Sequence, residues 1–442
     1  MANGVDVTNR MAPSSSASAS SASTNRGGRL ELDDARKERC VREAREVPSR
    51  RVARRRGDED DDEIIPSGEC VDEPSATTWT PGVMFRLDVL VVLFDWFLTL
   101  LWCALRARVR GRRVGVDEDA RSPPKWLRAD DSNDDDIHAV GALVTGWSSG
   151  LGRASAIALA RRGFAIVVPY RLGGMDAARG LEAACKSARA DARVEFVGPL
   201  DVSCASDLDG MRLDSVRARG VDVRVVVHCA GVFNTDRWAT RSDGGDPTVA
   251  VNFHGVAALT KRVLDEVAPV GKHEAPTNHI RVVFVGSFTH ECATARLLSL
   301  NAFKRWLKNY GATPRYYNPA LNYMWSKVAV SAYAAYAHDV WRVTYGDRVS
   351  AVLVDPGLID TRLIRGWPTA LQRIFCFIGK ASGLMQSPVA AACGVVRAVC
   401  YAPGDEETCP FIYGPTGSHV RESYWMRHGK VAAGSWAKLS FY

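Results

Sequence analysis

Residues 139–153, AVGALVTGWSSGLGR, carry the clearest structural signal in the chain. The first six are apolar or glycine, as in a short buried strand, and the helical run ASAIALARR follows the glycines. Glycines are needed where a chain turns sharply and lets its backbone approach a pyrophosphate, and the helix N-terminus offers free N–H groups to that anion. The predicted phosphate-binding residues are Thr145, Gly146, Ser148, Ser149, Gly150, Leu151 and Gly152.

From residue 138 onward, strand-like runs alternate with helical segments. Such alternation gives a parallel sheet with helices on both faces, and right-handed crossovers make it doubly wound. We therefore predict an α/β fold, a doubly wound Rossmann fold with a mainly parallel sheet, over residues 138–442. The predicted strands are 139–144, 164–170, 193–200, 223–231, 281–286 and 349–357.

The residue after the second predicted strand favours one cofactor. An acid at this place would hydrogen-bond the adenosine ribose of NAD, but the chain has Arg171. Because a guanidinium pairs with a 2′-phosphate, Arg171 predicts NADP(H). The alternative is a solvated surface arginine, since Asp176 lies nearby in the sequence.

Tyr323 and Lys327 lie at positions i and i+4, so on a helix the phenol and the ammonium share one face. A phenol is a poor acid or base at neutral pH unless a neighbouring cation stabilises its anion. We expect Lys327, together with an oxidised nicotinamide, to lower the pKa of Tyr323 and so let it exchange a proton with a carbonyl or alcohol. The spacing alone is a common chance match, and the surrounding motifs give it weight.

The TGxxxGxG spacing and the YxxxK pair together resemble the short-chain dehydrogenase/reductase family, over roughly residues 138–400. The resemblance implies that Ser287 hydrogen-bonds the substrate oxygen and that Asn252 holds a water on the proton path to the lysine. The implied catalytic residues are Asn252, Ser287, Tyr323 and Lys327.

The same resemblance implies the remaining cofactor contacts. Asp201 follows the third strand, where the family's aspartate binds the adenine, and Pro356-Gly357 follows the sixth, beside the nicotinamide. His228 and Cys229 depart from the two asparagines that the family usually has there. Besides the glycine turn and Arg171, the implied contacts are Asp201, Val202, Cys229, Ala230, Gly231, Asn252, Tyr323, Lys327, Pro356, Gly357 and Thr361.

A long insertion between Ser287 and Tyr323 makes the chain similar to the retinol-dehydrogenase-like and protochlorophyllide-reductase-like branches. Within it, residues 297–307 carry apolar side chains at near-helical spacing, which suits a lid, a membrane-apposed helix or ordinary packing. His290 is either a substrate-side or a structural histidine. The apolar helical segment 369–385 favours a lipophilic substrate such as a retinoid, sterol or other lipid carbonyl.

The N-terminal third has a different composition. Residues 1–78 combine a Ser/Ala tract with arginine and acid runs, which predicts a disordered tail because little apolar surface is available to offset chain entropy. The Ser-rich, acid-poor first thirty residues also resemble an organelle transit peptide. Residues 114–137 are predicted to be a polar linker.

Residues 79–113 predict a hydrophobic helix with a polybasic flank, and its apolar part, 83–105, is about long enough to span a bilayer. Asp88 and Asp95 lie on one stripe, together with Thr99 and Arg106. A polar stripe suits an interfacial helix, or a spanning helix with one face against protein. A soluble helix packed on the domain is the alternative.

Two tryptophans of this segment, Trp96 and Trp102, are expected at headgroup level. The arginine run after the helix predicts, by the positive-inside rule, that the downstream domain faces the cytosol. A chloroplast or another organelle is the alternative location.

The overall composition excludes several other classes. A net charge of +7 without a basic stripe in the folded part does not indicate nucleic-acid binding. Eleven cysteines without CxxC or Cys/His spacing indicate neither a disulfide framework nor a metal site.

We therefore expect an oxidoreductase that transfers a hydride between NADP(H) and the carbonyl or alcohol of a small lipophilic substrate. A homo-dimer is compatible with this reading. The rival from another class is a catalytically idle NADP(H)-binding sensor or scaffold at a membrane. Within enzymes, a pigment-ring reductase remains an alternative.

Overall fold

The computed structural model describes most of the chain from residue 84 onward. The predicted tail at 1–78, the start of the predicted helical segment and much of the predicted linker lie outside the described residues. The described ranges are 84–113, 120–128, 138–235, 246–269, 279–295, 299–308, 317–402 and 407–439.

A mainly parallel sheet forms the centre of the fold. A second, two-stranded sheet lies beside it. In chain order, the strands of the two sheets are β1 Arg112–Arg113, β2 Ala139–Thr145, β3 Ala165–Pro169, β4 Val194–Val197, β5 Val221–His228, β6 Ile280–Val285, β7 Val349–Asp355, β8 Leu358–Ile359, β9 Met385–Gln386, β10 Phe411–Tyr413 and β11 Ser418–Val420. Within the described ranges the main sheet has the order β1-β11-β10-β7-β6-β5-β2-β3-β4, and β8 pairs with β9.

From β4 to β10 every neighbouring pair in the main sheet is parallel, whereas β11 and β1 add antiparallel edges. The central strands are continuous apolar runs because both faces of the sheet are covered, and all six residues of β6 are buried. The direction of strand addition reverses between β2 and β5. The carboxyl ends of these two strands therefore bound the crevice where an open α/β sheet binds its ligand.

Helices cover both faces of this sheet. In chain order they are α1 Leu87–Arg110, α2 Gly150–Arg161, α3 Met175–Ala188, α4 Ala205–Gly210, α5 Asp214–Arg217, α6 Pro247–Val249, α7 Gly255–Val267, α8 Thr289–Ala295, α9 Leu300–Lys308, α10 Pro319–Thr344, α11 Thr369–Ala381, α12 Pro388–Cys400, α13 Tyr424–His428 and α14 Lys430–Leu439. One core lies under α2, α3 and α12, and the other lies under α1, α7, α10 and α14. The predicted doubly wound fold is confirmed.

All six predicted strands are present, as β2 to β7, with ends within three residues of the prediction. The sequence analysis did not anticipate β10 and β11, because three residues are too few to show an alternating pattern. In the insertion, α9 buries Phe303 and Trp306, and the Trp306 indole donates to Asn322 Oδ1 at 2.7 Å. Helix α9 is therefore packed on the start of α10.

The apolar helix α1 lies with one face on the sheet domain. Its apolar part, Leu87–Val109, has 23 residues and is long and apolar enough to cross a membrane. Within the most apolar stretch of this part, 39% is buried by protein. The buried residues are Val89, Val92, Leu93, Trp96, Thr99, Leu100, Cys103 and Ala107. The opposite face exposes Leu87, Val91, Phe94, Leu98, Leu101, Trp102, Leu105 and Val109.

Polar contacts fix the inner face of α1 to the domain at both ends. Near its start, Asp88 accepts a hydrogen bond from Asn318 Nδ2 at 3.2 Å. Near its end, Arg106 forms an ion pair with Glu291 at 2.9 Å, and both side chains are mostly buried. The polar stripe predicted on this helix therefore faces protein.

Candidate active site

The predicted glycine turn closes tightly between β2 and α2. A Cβ on Gly152 would overlap the carbonyl oxygen of Gly146, and Gly146 itself has a φ of +66°, in the left-handed region that favours glycine. A Cβ on Gly146 would lie 2.7 Å from the backbone nitrogen of Ala230. The turn therefore needs both glycines, and it contacts the end of β5.

The remaining residues of the turn lie at the start of α2. Ser149 is its N-cap residue in extended conformation, and its side chain makes no capping hydrogen bond. Thr145 accepts from the Ala230 N–H at 3.0 Å, and Leu151 is buried. Ser148 is exposed between Thr145 and the helix. This arrangement directs the N–H groups of the first turn of α2 toward the crevice.

The segment after β7 approaches the same turn. A Cβ on Gly150 would lie 3.1 Å from Thr361 Cγ2, so Thr361 packs over the turn. Gly357 has a φ of +72°, and its N–H donates to Asp355 Oδ1 at 2.9 Å. The Pro356 carbonyl accepts from Gln386 at 3.0 Å. The structure thus brings the predicted Pro356, Gly357 and Thr361 to the crevice.

The predicted adenine side lies at the ends of β3 and β4. Arg171 is exposed two residues after the end of β3, and its carbonyl accepts a hydrogen bond from the Gly174 N–H at 2.8 Å. Asp201 holds a turn by accepting from the Ser203 N–H and hydroxyl at 2.8 and 2.6 Å. The Val202 carbonyl packs so closely against Gly255 that a Cβ there would overlap it.

The unusual residues at the end of β5 have separate explanations. His228 is buried, stacks on Phe284, and lies 2.7 Å from the Thr260 hydroxyl. Because Thr260 donates its own proton to the Val256 carbonyl, His228 must be the donor. Burial lowers the pKa of His228 to about 3, so this histidine is a neutral core residue.

Cys229, which follows it, is partly buried. Burial raises the pKa of the Cys229 thiol to about 12, so it carries no charge at neutral pH. Ala230 and Gly231 continue toward the catalytic residues. A Cβ on Gly231 would lie 3.5 Å from Asn252 Oδ1 and 3.8 Å from Lys327 Nζ.

Asn252 connects two parts of the site from within a π-helical turn, Ala250–His254. Its Oδ1 accepts from the Val232 N–H at 2.8 Å, and its Nδ2 donates to the Val232 carbonyl and to Ser326 Oγ, both at 3.0 Å. Single π turns inside helices are frequent at functional sites. Here the turn lets one buried amide join the end of β5 to the middle of α10.

Tyr323, Ser287 and Lys327 come together at the carboxyl end of β6. The Tyr323 hydroxyl hydrogen-bonds the Ser287 side chain, and Lys327 Nζ lies 5.8 Å from the centroid of the phenol ring. Lys327 also donates to the Val285 carbonyl at 3.0 Å. The residues that the sequence analysis named as catalytic are therefore close neighbours.

The protein groups alone do not lower the pKa of Tyr323, so the lowering expected from Lys327 together with an oxidised nicotinamide stays a prediction. Burial raises the pKa of Tyr323 above its usual 10, and the hydrogen bond with Ser287 only partly opposes this. Burial also lowers the pKa of Lys327, to about 8. Both shifts have the same cause, since a dry environment disfavours the charged form of each group.

His290 and Asp355 lie behind Ser287. His290 is buried, and its Nδ1 is within hydrogen-bond distance of the Ser287 carbonyl, so it positions the strand end. Burial raises the pKa of Asp355 to about 6. The structure thus assigns His290 a structural contact.

Sequence reasoning missed an aromatic cluster around Tyr323. The Tyr323 ring centroid lies 5.7 Å from that of Trp96 and 5.3 Å from that of Phe233, and Phe233 contacts Trp367 at 5.4 Å. The expectation that Trp96 lies at headgroup level is wrong, because it faces inward with 4% of its surface exposed. The available signal was the polar stripe of α1, for which a face against protein was one of the two interpretations.

With this geometry established, comparison with known proteins identifies the family. Residues 141–296 match the family model of the short chain dehydrogenase. The matched part of the chain is a short-chain dehydrogenase/reductase domain. The matched region begins in β2 and ends after α8, so it contains the glycine turn, Asn252 and Ser287.

Similar members of the short-chain dehydrogenase/reductase family place the chain in the retinol-dehydrogenase-like branch. Polyprenol dehydrogenase of Mus musculus is 33% identical over 231 residues, which cover 51% of this chain and 62% of that protein. Retinol dehydrogenase 12 of Bos taurus is 26% identical, over 50% of this chain and 62% of that protein. Retinol dehydrogenase 13 of Homo sapiens is 29% identical, over 50% and 60%. The chain thus spans about three fifths of the length of these relatives.

Proposed function

We propose that this short-chain dehydrogenase/reductase interconverts a lipophilic alcohol and its carbonyl compound with NADP(H), at a membrane surface. The observation that carries the proposal is the phenol of Tyr323, hydrogen-bonded to Ser287 and flanked by the Lys327 ammonium. Binding a dinucleotide does not require these three groups together. Their assembly favours an enzyme over an idle sensor or scaffold.

A nicotinamide dinucleotide fits the residues of the crevice. A Cβ on Gly146 or Gly152 would overlap backbone atoms and displace the glycine turn, whose compact form leaves the N–H groups at the start of α2 facing the crevice, where they can bind a pyrophosphate. The exposed Arg171 after β3 supports NADP(H), because a guanidinium can pair with a 2′-phosphate. When bound, the cofactor supplies or takes up the hydride.

Tyr323 is the proposed proton donor and acceptor. Its raised pKa keeps it protonated at neutral pH, the form that donates a proton to a carbonyl oxygen. Ser287, which neighbours the Tyr323 hydroxyl, would hydrogen-bond the same substrate oxygen and orient the substrate. Because the Thr289 N–H already donates to Ser287 Oγ, at 3.3 Å, the serine hydroxyl proton is available to a substrate oxygen.

Lys327 and Asn252 form the proposed inner end of the proton path. The Lys327 ammonium favours the phenolate of Tyr323 as it forms. Both amide hydrogens of Asn252 are engaged, and one lone pair of its Oδ1 remains. That oxygen and Lys327 Nζ both approach Gly231, so a water between them would connect the two side chains.

A lipophilic substrate is supported by the side chains around Tyr323. Trp96 and Phe233 contact the phenol, and Trp367 packs on Phe233. Helix α11 contributes Phe375, whose ring lies 5.1 Å from that of Trp367. These groups offer no charge to a polar substrate. The names of the relatives, polyprenol and retinol dehydrogenases, indicate alcohols of this kind.

The exposed apolar face of α1 supports attachment to a lipid surface. Leu87, Phe94 and Val109 are more than half exposed along one side of the helix, and the exposed Arg108 lies near its end. An apolar stripe bordered by basic residues favours an interfacial position beside anionic headgroups. The arginine run over residues 106–113, at the end of α1 and just beyond it, supports a cytosolic location of the catalytic domain.

The test is turnover of a panel of alcohols by the full chain and by Tyr323→Phe. We expect oxidation of farnesol or retinol with NADP⁺, and a loss of kcat of about 10²–10⁴-fold in the variant with NADPH affinity kept. Tyr333→Phe is the matched control, since Tyr333 is equally buried on the same helix but lies away from Ser287. Full activity of Tyr323→Phe would refute the mechanism, and no turnover of any alcohol or carbonyl by the wild type would indicate the idle sensor.

A further inference from the structure

The N-terminal helix α1 reaches the catalytic tyrosine. Trp96, in the middle of α1, packs its indole against the phenol of Tyr323 at a centroid distance of 5.7 Å. The same indole meets Phe233 at 6.1 Å and Phe288, next to Ser287, at 6.4 Å, both edge-on. A side chain outside the sheet domain thus contacts the residue that exchanges the proton.

Trp96 in α1 and Trp367, in the loop before α11, belong to one aromatic cluster with Phe233 and Tyr323. All four side chains are buried. Both indole N–H groups, of Trp96 and of Trp367, are buried without a hydrogen-bond partner among the described residues. A buried donor without a partner costs stability, and its presence beside a reaction site indicates room for a polar group that is not part of the chain.

The contact between α1 and the site is held in place from both sides of Trp96. Asp88 binds Asn318, the N-cap residue of the helix that carries Tyr323. Arg106 binds Glu291, in the helix that begins directly after the Ser287 segment. The polar contacts of α1 therefore go to the two segments that position the catalytic hydroxyls.

We propose that α1 is a wall of the catalytic site and that Trp96 is the residue of this wall that selects a long apolar substrate. This inference rests on the proposed function and names a specificity-determining residue for it. The indole packs along the hydrocarbon chain next to the reacting carbon, and its N–H is available to the substrate oxygen. A short alcohol reaches Tyr323 without this contact and depends on it little.

The test compares Trp96→Phe with Trp102→Phe in the full chain. These two residues lie on the same helix, but Trp96 is 4% exposed and Trp102 is 58% exposed. Phenylalanine keeps an aromatic ring in the core, so that α1 stays docked, and an unfolding midpoint within a few degrees of the wild type verifies this. Turnover is measured with propan-2-ol, geraniol, farnesol and geranylgeraniol.

We expect Trp96→Phe to lower kcat/KM for farnesol and geranylgeraniol by about tenfold or more, mostly through KM, and to leave propan-2-ol within about twofold. Trp102→Phe should match the wild type with every alcohol. An equal loss with all four alcohols would overturn the proposal, because Trp96 would then act only by supporting Tyr323. Unchanged selectivity would overturn it as well.

A binding measurement separates this inference from the proposed function. The increase in unfolding midpoint on adding geranylgeraniol to the NADP⁺-saturated protein requires no turnover. If the wild type oxidises no alcohol, the proposed function fails. A midpoint increase that is lost in Trp96→Phe and kept in Trp102→Phe would still support the inference that Trp96 in α1 contacts the bound alcohol. The same increase in both variants would refute the role of Trp96.

Discussion

Two glycines in neighbouring helices should respond in opposite ways to the same substitution. Gly180 lies in α3, is exposed, and has nothing within 4 Å of where a Cβ would stand. Gly152 lies in the first turn of α2, where a Cβ would overlap the backbone carbonyl of Gly146. Both have negative φ, so neither substitution is strained by its own backbone conformation.

The magnitudes follow from these surroundings. Gly180→Ala should raise the free energy of unfolding by about 0.5–1 kcal/mol, because alanine restricts the unfolded chain and favours the helix. Gly152→Ala gains the same amount but must displace backbone, and such overpacking costs about 1–3 kcal/mol. The net change at Gly152 is therefore destabilising, and the displaced turn should weaken NADPH binding at least tenfold.

Urea unfolding monitored by circular dichroism gives the two stabilities, and titration of nicotinamide fluorescence gives the two affinities. Gly180→Ala serves as the control, since NADPH affinity should not change there. If Gly152→Ala stabilises the chain as Gly180→Ala does and binds NADPH like the wild type, the glycine turn is not the pyrophosphate cradle.

Three further predictions concern single side chains. Asn252→Ala removes three hydrogen bonds of about 1 kcal/mol each, so urea unfolding should show a free energy of unfolding lower by about 2–3 kcal/mol. An unchanged free energy of unfolding would show that this amide does not stabilise the fold. Burial raises the pKa of Asp355 from 3.8 to about 6, so the folded chain binds this proton more tightly than the unfolded chain does. The resulting stabilisation is fully present below about pH 4, and about 3 kcal/mol of the free energy of unfolding is lost as the pH rises through 6. Asp355→Asn should flatten that part of the pH–stability curve, and an unaltered slope would contradict the shift. Arg171→Ala should raise the Kd for NADPH about tenfold or more and leave that for NADH unchanged, and equal effects on both would remove the argument for a 2′-phosphate contact.

The parts of the fold predictable from sequence are those that local patterns determine. The strand, glycine turn and helix from Ala139 to Arg161 are contiguous, and the long apolar strands show their burial directly. The positions of Tyr323 and Lys327 on one face follow from helical spacing. Roles that depend on distant partners were not predictable, such as the neutral state of His228, which Thr260 and Phe284 determine.

The docking of α1 shows the same limit more clearly. Its periodicity separates an apolar stripe from a polar one, but both faces of the helix carry large apolar residues, so hydropathy alone does not show which face meets protein. The decisive partners, Asn318 and Glu291, lie far away in the sequence. For that reason Trp96 and Trp102 looked equivalent in the sequence, although only Trp96 contacts Tyr323.

Burial shifts both members of the Tyr323–Lys327 pair toward their neutral forms. The pKa of Tyr323 rises above 10 and that of Lys327 falls to about 8, so at pH 7 the phenol keeps its proton and most of the lysine keeps its charge. Those are the protonation states needed to donate a proton to a carbonyl oxygen. Alcohol oxidation needs the phenolate, which the chain's own groups disfavour. We infer that the protein alone favours carbonyl reduction near neutral pH, and that oxidation depends on positive charge brought in with the oxidised cofactor or on a higher pH.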